Sequence, residues 1–524
     1  MNIWQQVKDL KFPLLLKAPT GSGKTESVLA PFLSQFVENN FYIAPRMIYV
    51  LPTRVLVNSI AERIKKYTYR ISPHISVKIQ HGDVPNAPFF IADIVVTTLD
   101  QFLYGFARVS TQIGRHVDMP AGSIASSLVV FDEAHMYRDG FTFSVMRALM
   151  EILHKSGIPF ILMTATMPVS LEKSLFENIS LQNDQKVIGT TKLNSNLKIT
   201  IEKNPLYSDG EIDNSEELLN RIKHYKTLIV VNQVTKAQRI YEEIKSILDL
   251  TDKQIVLLHS RFTRVDRKDH EKKAISLIPH KEDGKIIIPE GVGIVVSTQV
   301  LEAGIDFSAE LLLTELAPAD SLVQRAGRCA RYETESGEMI IFPVKEENRE
   351  YLPYKKEHSS KTFEWLQNNK QFNIKSFNEV CSFVNDTLDY QANDYEARDT
   401  LIDLYECVLY ADERPTNIQL RNGKPVTLVV VDLSLGEGRK KEDRIKDAIR
   451  KTNIRDNSIS VDFGVGWKLF KDGILKLMLD FDSEKGKWDF KEIKDVSPFR
   501  YYLLEKNYYD QIKGVLADVS SFII

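Results

Sequence analysis

Cysteine is nearly absent from this chain: 524 residues hold three, at Cys329, Cys381 and Cys407. They form no CxxC pair for a metal and no even set for a disulfide framework. Thiol cross-links are therefore excluded as a source of stability, and a reducing, cytoplasmic setting is expected. Net charge is scarce too. The 68 Lys and Arg against 71 Asp and Glu leave a formal balance of −3, which excludes a protein that coats nucleic acid by bulk positive charge. A local cationic groove remains allowed. Apolar runs are short, none long enough to span a bilayer. The first residues, with Lys8, Asp9 and Lys11, lack a signal-peptide pattern, so no membrane role is expected.

What is present is an ordinary globular share of hydrophobic residues, 43%, in a chain too long for one core. Two or three domains are expected. From Phe12 to about Pro168, apolar runs alternate with helical patterns: FPLLL, MIYVLP, IADIVVTT, SLVVFDEAH, PFILMTAT. A second series follows: TLIVVNQ, QIVLLHS, GVGIVVSTQ, LLLTEL, EMIIFP. This is the rhythm of helix-covered parallel sheets, so the fold class is α/β. The polar segment from Lys192 to Asn220 is expected to contain the linker. Arg108 to Gly122 and His280 to Gly293 read as surface loops. Beyond about Pro343, Asn348 to Cys381 reads as helical and Tyr390 to Asp399 as an acidic connection. Strands such as VTLVVVDLS then mix with a charged helix over Arg439 to Arg455, whose cations read as a solvated face. The late aromatics, Trp467 to Tyr509, read mostly as core. The expected domains are 1–195, 196–345 and 346–524.

Chemistry concentrates at the ends of the apolar runs, where open α/β sheets bind ligands. After FPLLL comes Lys17-Ala-Pro19-Thr20-Gly21-Ser22-Gly23-Lys24-Thr25-Glu26, a phosphate-binding loop with Ala18 in place of the usual first glycine. Gly21 and Gly23 let backbone N–H groups face phosphate, and the following helix start adds partial positive charge. Lys24 is suited to the β- and γ-phosphates of ATP, and Thr25 to magnesium. LVVFDEAH delivers two carboxylates at a strand end: Asp132 to hold magnesium, Glu133 to polarise the attacking water. PFILMTAT ends in Thr164-Ala165-Thr166, hydroxyls suited to link nucleotide state to movement. The stretch Val295 to Arg331 closes on QRAGRCAR, which brings Gln324, Arg325, Arg328 and Arg331 close together at a spacing that suits one face of a short helix. Arginine stays protonated and grips phosphate bidentately, so these residues suggest an arginine finger.

Together these strings resemble the superfamily-2 helicases, and within them the helicase of type I CRISPR systems. Val50-Leu-Pro-Thr-Arg54 with Asn58, Val96 to Gln101, and Leu258 to Phe262 with Asp266-Arg267 match that family's motifs, and TQVLEAGIDFSAELLLTELAPADSLVQRAGR is the most specific stretch. The resemblance implies two tandem RecA-like motor domains and a smaller C-terminal accessory domain. It implies ATP and magnesium as cofactors, with Gln324, Arg328 and Arg331 facing the γ-phosphate and Asp306 near the ribose. Thr53, Arg54, Thr98, Ser260, Arg261 and Thr298 would follow the DNA backbone, and His135, Thr164 and Thr166 would couple the states. It implies 3′-to-5′ movement on single-stranded DNA and recruitment to a CRISPR surveillance complex. The family's full-length members carry a nuclease with a His-Asp dyad. No His-Asp dipeptide occurs here and the phosphate loop lies early, so a split form with a separate HD nuclease is expected. For adenine, Gln5 and Gln6 are the nearby candidates. Two rival functions share the motifs: an RNA helicase, and a nucleotide-gated recruiting subunit with little turnover.

Overall fold

A computed structural model describes residues 3–402 and 424–516, apart from 20, 83, 111–112, 114–115, 138–139, 190–194, 209, 213–214, 283, 303–305, 346–347, 390–397, 400, 439 and 483–485. The chain divides into two compact units. The first is Met1–Lys192 with Ser376–Asn422, and the second is Leu193–Lys375 with Gly423–Ile524.

In the first unit the apolar runs become strands β1 (Leu14–Lys17), β2 (Arg46–Leu51), β3 (Val77–His81), β4 (Val84–Pro85), β5 (Ile94–Thr98), β6 (Ser127–Phe131), β7 (Phe160–Thr164) and β8 (Lys186–Ile188). They form one sheet in the order β4-β3-β5-β2-β6-β7-β1-β8. All its ladders are parallel except the β3–β4 pair at the edge. Every residue of β5, β6 and β7 is buried, because helices cover both faces. Alternate residues feed two cores: Ile48, Val50, Val129 and Phe131 one, Met47, Tyr49, Leu128 and Val130 the other. Helix Phe377–Thr387 belongs to this unit although it lies far along the chain, and Asn385 Oδ1 accepts from the Val169 N–H at 2.8 Å. Arg108 to Gly122, expected as loop, runs into helix Asp118–Ala125, and Arg108 pairs with Asp118 at 3.0 Å. Helix Ile3–Lys8 carries both adenine candidates: Gln6 is buried, and Gln5 donates to Asp9 Oδ1 at 2.7 Å.

The second unit repeats the architecture. Strands β9 (Asn196–Ile201), β10 (Thr227–Val230), β11 (Ile255–Leu258), β12 (Ile294–Ser297), β13 (Leu311–Glu315) and β14 (Ser336–Phe342) form an all-parallel sheet, order β11-β12-β10-β13-β14-β9. β9 lies inside the polar segment expected to hold the linker. It is an edge strand, so only part of it is buried and its hydrophobic signal is weak. The expected loop His280 to Gly293 contains a small hairpin, His280–Glu282 with Lys285–Ile287. Both units are thus RecA-like parallel sheets.

The C-terminal residues of the second unit add a five-stranded sheet of β15 (Pro425–Val431), β16 (Ser458–Asp462), β17 (Leu477–Asp482), β18 (Lys487–Glu492) and β19 (Tyr501–Glu505), order β16-β15-β19-β17-β18. Helix Lys441–Lys451 buries Ile445, Ala448 and Ile449 against one face, with its cations outward. Helix Phe463–Lys471 covers the other face with Val465 and Leu469. Tyr502 is buried there, whereas Phe481, Trp488 and Tyr501 are in tilted contact at ring distances of 5.3 and 5.1 Å. The acidic connection Tyr390 to Ala397, Cys407 and Arg439 lie outside the described residues.

The last described residues dock on the end of β11. The Thr263 N–H donates to Tyr509 Oη at 3.0 Å, and Tyr509 Oη donates to Asp266 Oδ2 at 2.6 Å. Gly514 sits at φ 77°, and a Cβ there would come within 2.5 Å of Arg261 O, so only glycine allows this approach. His259 is the pivot. Its Nδ1 accepts from the Arg261 N–H at 3.1 Å and its Nε2 donates to Lys513 O at 3.0 Å, which fixes one neutral tautomer. Burial, reinforced by Arg261, lowers its pKa to about 3.

The unfolded chain protonates this imidazole near pH 6.5, while the folded one stays neutral down to about 3. Stability is therefore intact above about 6.5 and falls as the pH drops below it. Three of the four tryptophans, Trp365, Trp467 and Trp488, lie in the second unit, so fluorescence reports its unfolding. Urea melts at about pH 7 and about pH 5.5 should show wild type losing about 1 kcal/mol more than His259→Phe. Equal losses would mean that the folded ring takes up the proton.

Candidate nucleotide and nucleic-acid site

The carboxyl ends of β1, β7 and β6, neighbours in the first sheet, carry the phosphate loop, Thr164-Ala165-Thr166 and Asp132-Glu133. After Lys17 the chain turns through Ala18 to Gly23, with Gly21 at φ 80° and Gly23 at φ 81°. L-residues rarely adopt that region, so these two glycines permit the turn. Helix Lys24–Glu38 starts with no side-chain cap, which leaves its first N–H groups to a ligand. Ser22 N–H closes the loop on Pro19 O at 3.2 Å, and Lys24 Nζ folds back to Ala18 O and Pro19 O at 3.0 and 3.2 Å. Thr20 lies outside the described residues. Glu26 reaches sideways to Tyr67 Oη at 2.8 Å and pairs with Arg63.

Tyr49 joins the two halves of the pocket. Its buried hydroxyl donates to Asp132 Oδ2 at 2.7 Å and lies 3.3 Å from Thr25 Oγ1. Nothing in the apolar run MIYVLP marks this tyrosine as functional, and its signal appears only once the strands are side by side. Burial, with Glu133 adjacent, raises the Asp132 pKa to about 6, against the pull of Lys24. Glu133 sits at φ 53°, a region costly for a non-glycine residue, while its N–H donates to Asp132 Oδ1 at 2.8 Å. His135 Nδ1 lies 3.2 Å from Thr164 Oγ1, which donates to Thr166 O at 3.2 Å, so His135, Thr164 and Thr166 come together.

Among the described residues, buried polar atoms without a hydrogen-bond partner include Ser22 Oγ, Glu26 Oε2, Glu133 Oε2 and Thr166 Oγ1. Each such atom costs roughly 1–3 kcal/mol, so their gathering on three adjacent strand ends marks a pocket built for a polar ligand. Thr25 and Asp132 supply the hard oxygens that magnesium prefers. No group of three or more His, Cys, Asp or Glu suited to a metal occurs among the described residues. The donor set thus fits an ion that keeps water and borrows phosphate oxygens, not one caged by protein.

The second unit separates the arginines. Helix Ala319–Ala326 holds Gln324 and Arg325 and ends at Gly327. Arg328 and Arg331 therefore lie beyond it, which corrects the expectation of one helical face: the helix stops at Gly327 and a left-handed Ala330, φ 44°, bends the chain away. Arg325 is 1% exposed and uses all five donors on Glu302 Oε1, Thr314 Oγ1, Glu315 O, Asn232 Oδ1 and Tyr354 Oη, at 2.8 to 3.0 Å. It holds the fold. Arg328 donates to Leu301 O and Glu302 O at 3.0 and 2.9 Å. Arg331 pairs with Asp306 at 2.8 Å and donates to Gly327 O at 3.2 Å.

The expected nucleic-acid residues also sit at strand ends. In the first unit, Thr53 follows β2 and caps helix Arg54–Ile71, accepting from Leu56 N–H at 3.4 Å. Thr98 ends β5, next to β2 in the sheet, and Arg54 lies against Gly82. In the second unit, Ser260, Arg261 and Thr298 line one cavity of about 290 Å³ together with Asn232, Gln233 and Asp462.

A parallel-sheet pair with a phosphate loop, an Asp-Glu strand end and an arginine turn defines the class of nucleotide-driven motors. Residues 2–174 match the DEAD/DEAH box helicase family, and residues 223–334 match the C-terminal family of CRISPR-associated nuclease/helicase Cas3. By these two matches the chain is similar to the Cas3-like helicases. It is 31% identical over 334 residues to the CRISPR-associated helicase Cas3 of Thermoproteus tenax, covering 61% of this chain and 54% of that one. The chain spans about half the length of the curated relatives it matches. It shares the fold of T. fusca Cas3 solved with ATP, with a TM-score of 0.67 at 18% identity over 96% of this chain and 67% of that one. It is also similar to a chain in a pre-nicking CRISPR RNA-guided surveillance complex, with a TM-score of 0.61 at 19% identity, covering 98% of this chain and 70% of that one. No helix of the described residues is long and apolar enough to cross a membrane.

The raised Asp132 pKa has a stability consequence. The folded protein favours the neutral carboxyl, so this group supports folding below about pH 4 and loses that contribution as the pH rises through about 6. At pH 8 the ionised form costs up to about 3 kcal/mol. Asp132→Asn should therefore melt a few degrees above wild type at about pH 8 in a chelator, and the gain should shrink to about half by about pH 5 and vanish only below about pH 4. Calorimetry reads this directly. A variant that melts lower at both pH values would show that the carboxylate is stabilising.

Proposed function

We propose that the chain is an ATP-dependent single-stranded-DNA translocase and helicase of a type I CRISPR interference system. It moves 3′ to 5′ and acts with a separately encoded HD nuclease on DNA opened by a surveillance complex. The observation that carries the ATP reading is the Tyr49 hydroxyl, which sets Thr25 of the phosphate loop beside Asp132 of the strand end. The DNA and CRISPR reading is supported by the Cas3 family match and the Cas3 relatives.

The reaction is phosphoryl transfer from ATP to water, and catalysis is mostly positioning and charge neutralisation. The loop backbone of Pro19 to Gly23 and the helix start at Lys24 cradle the phosphates. Lys24 leaves the carbonyls of Ala18 and Pro19 for the β- and γ-phosphates. Magnesium held by Thr25 and Asp132 would offset phosphate charge. Glu133, whose Oε2 is buried without a hydrogen-bond partner, orients the attacking water and accepts its proton. Gln324, Arg328 and Arg331 answer the charge that builds on the γ-phosphoryl oxygens, and Asp306 holds the ribose. His135, Thr164 and Thr166 pass the change from the nucleotide to the strand ends. Thr53, Arg54, Thr98, Ser260, Arg261 and Thr298 contact the DNA backbone and carry no sequence code, as a translocase requires.

ATP hydrolysis with and without single-stranded DNA tests this, with equal-length RNA as the second polymer. DNA should stimulate turnover strongly, and Lys24→Ala should remove about 10²-fold or more of it. Stimulation by RNA alone would replace the reading with an RNA motor. No response to either polymer, with Lys24→Ala like wild type, would reduce the chain to a nucleotide-gated recruiting subunit.

A further inference from the structure

We infer that Lys375 is a positioning residue that clamps the turn carrying Arg328 and Arg331 in the geometry the reaction needs. This rests on the proposed role of those two arginines. Lys375 Nζ lies 3.0 Å from Ala326 O, 2.6 Å from Cys329 O and 3.0 Å from Ala330 O. An ammonium carries three N–H donors and no acceptor, so three converging carbonyls saturate it. They also gain most from it. Ala326 ends its helix, where carbonyls carry partial negative charge, and its oxygen accepts from the Cys329 N–H at 3.2 Å as well as from Lys375. Ala330 is held at φ 44°, a conformation a non-glycine residue keeps only when its surroundings enforce it.

On another side the turn is fixed by main chain: Ala309 N–H donates to Arg328 O at 2.8 Å, and Ala330 N–H donates to Ala309 O at 3.0 Å. Ala309 and Lys375 thus hold the five-residue stretch from Ala326 to Ala330 by backbone and by side chain. Arg328 lies within the clamped stretch and Arg331 directly follows it. The carbonyls that Lys375 engages belong to the chain that aims both guanidinium groups, and its ammonium, a donor only, can form no hydrogen bond with either. Misplacing a catalytic charge by about 1 Å can cost about 10²-fold in rate, so a clamp of this kind acts on turnover. Lys375 is also the last residue of the second unit before the chain enters the first at Ser376.

The clamp works only while Lys375 is protonated. Burial pulls its pKa down to about 8, helped by Arg331 and opposed by Cys329 and Glu335. Above that pH the neutral amine has two donors for three carbonyls and no charge to offer them.

The test is DNA-stimulated ATP hydrolysis by the full chain, from about pH 6.5 to about pH 9.5, with Lys375→Met, Lys375→Arg and Arg331→Ala. Lys375→Met should lower kcat about ten- to hundredfold with KM for ATP within about twofold, because ground-state nucleotide binding does not use the turn. Wild-type kcat should fall above about pH 8. Lys375→Arg should recover part of the rate and lack this alkaline limb, since guanidinium stays protonated. The inference is overturned if Lys375→Met turns over within about twofold of wild type while Arg331→Ala is inactive. It is equally overturned if the alkaline limb persists in Lys375→Arg, a readout that decides the matter even where Lys375→Met fails to fold. Full activity in Arg331→Ala would instead remove the arginine assignment, and the inference with it.

Discussion

The constraint on which the rest depends is the parallel ladder. Parallel strands must be joined by crossovers, which cover both faces of the sheet and leave its edges and strand ends as the places for polar chemistry. In β5, β6 and β7 no residue is exposed. Most polar groups with work to do are therefore pushed to the carboxyl ends, and Lys24, Asp132, Thr164, Thr53 and Thr98 gather there, with Tyr49 reaching them from within β2. The second sheet obeys the same rule, with Asn232, Ser260 and Thr298 after β10, β11 and β12.

Within that frame, buried charge is used in two opposite ways. Arg325 is fully desolvated and fully paired, so it specifies one arrangement of helix Ala319–Ala326, β13 and Glu302, and removing any partner would strand a charge. Asp132 is desolvated and incompletely compensated, as its raised pKa records. The first pattern belongs to a structural anchor, and the second to a group waiting for a cation. Two arginines that look alike in sequence differ in what they hold: Arg325 gathers four side chains and the Glu315 carbonyl, whereas Arg328 donates to the carbonyls of Leu301 and Glu302.

The motifs were legible because their chemistry is local: a phosphate loop, two carboxylates after a strand and a threonine pair are each a few residues long. The strand series was legible because fully buried parallel strands read as continuous apolar runs. What escaped had non-local causes. Tyr49 hides in an apolar run and meets Asp132 only because β2 and β6 pair in register. Lys375 lies 49 residues beyond Ala326, in a stretch with no motif. β9 was lost in polar sequence because an edge strand needs little apolar surface. The anchor formed by His259, Tyr509 and Gly514 depends on a docking across more than 240 residues that no spacing encodes.

The order of segments carries one more consequence. The chain passes between its two units at 192–193, 375–376 and 422–423. Neither unit is a single uninterrupted stretch. A proteolytic nick at one crossing makes two separate molecules that share a unit and are joined only by the packing within it, and a gene cut at position 192 encodes a first unit lacking helix Phe377–Thr387. Exchange of one contiguous segment cannot transfer a whole motor unit, because each unit is threaded through the other's sequence.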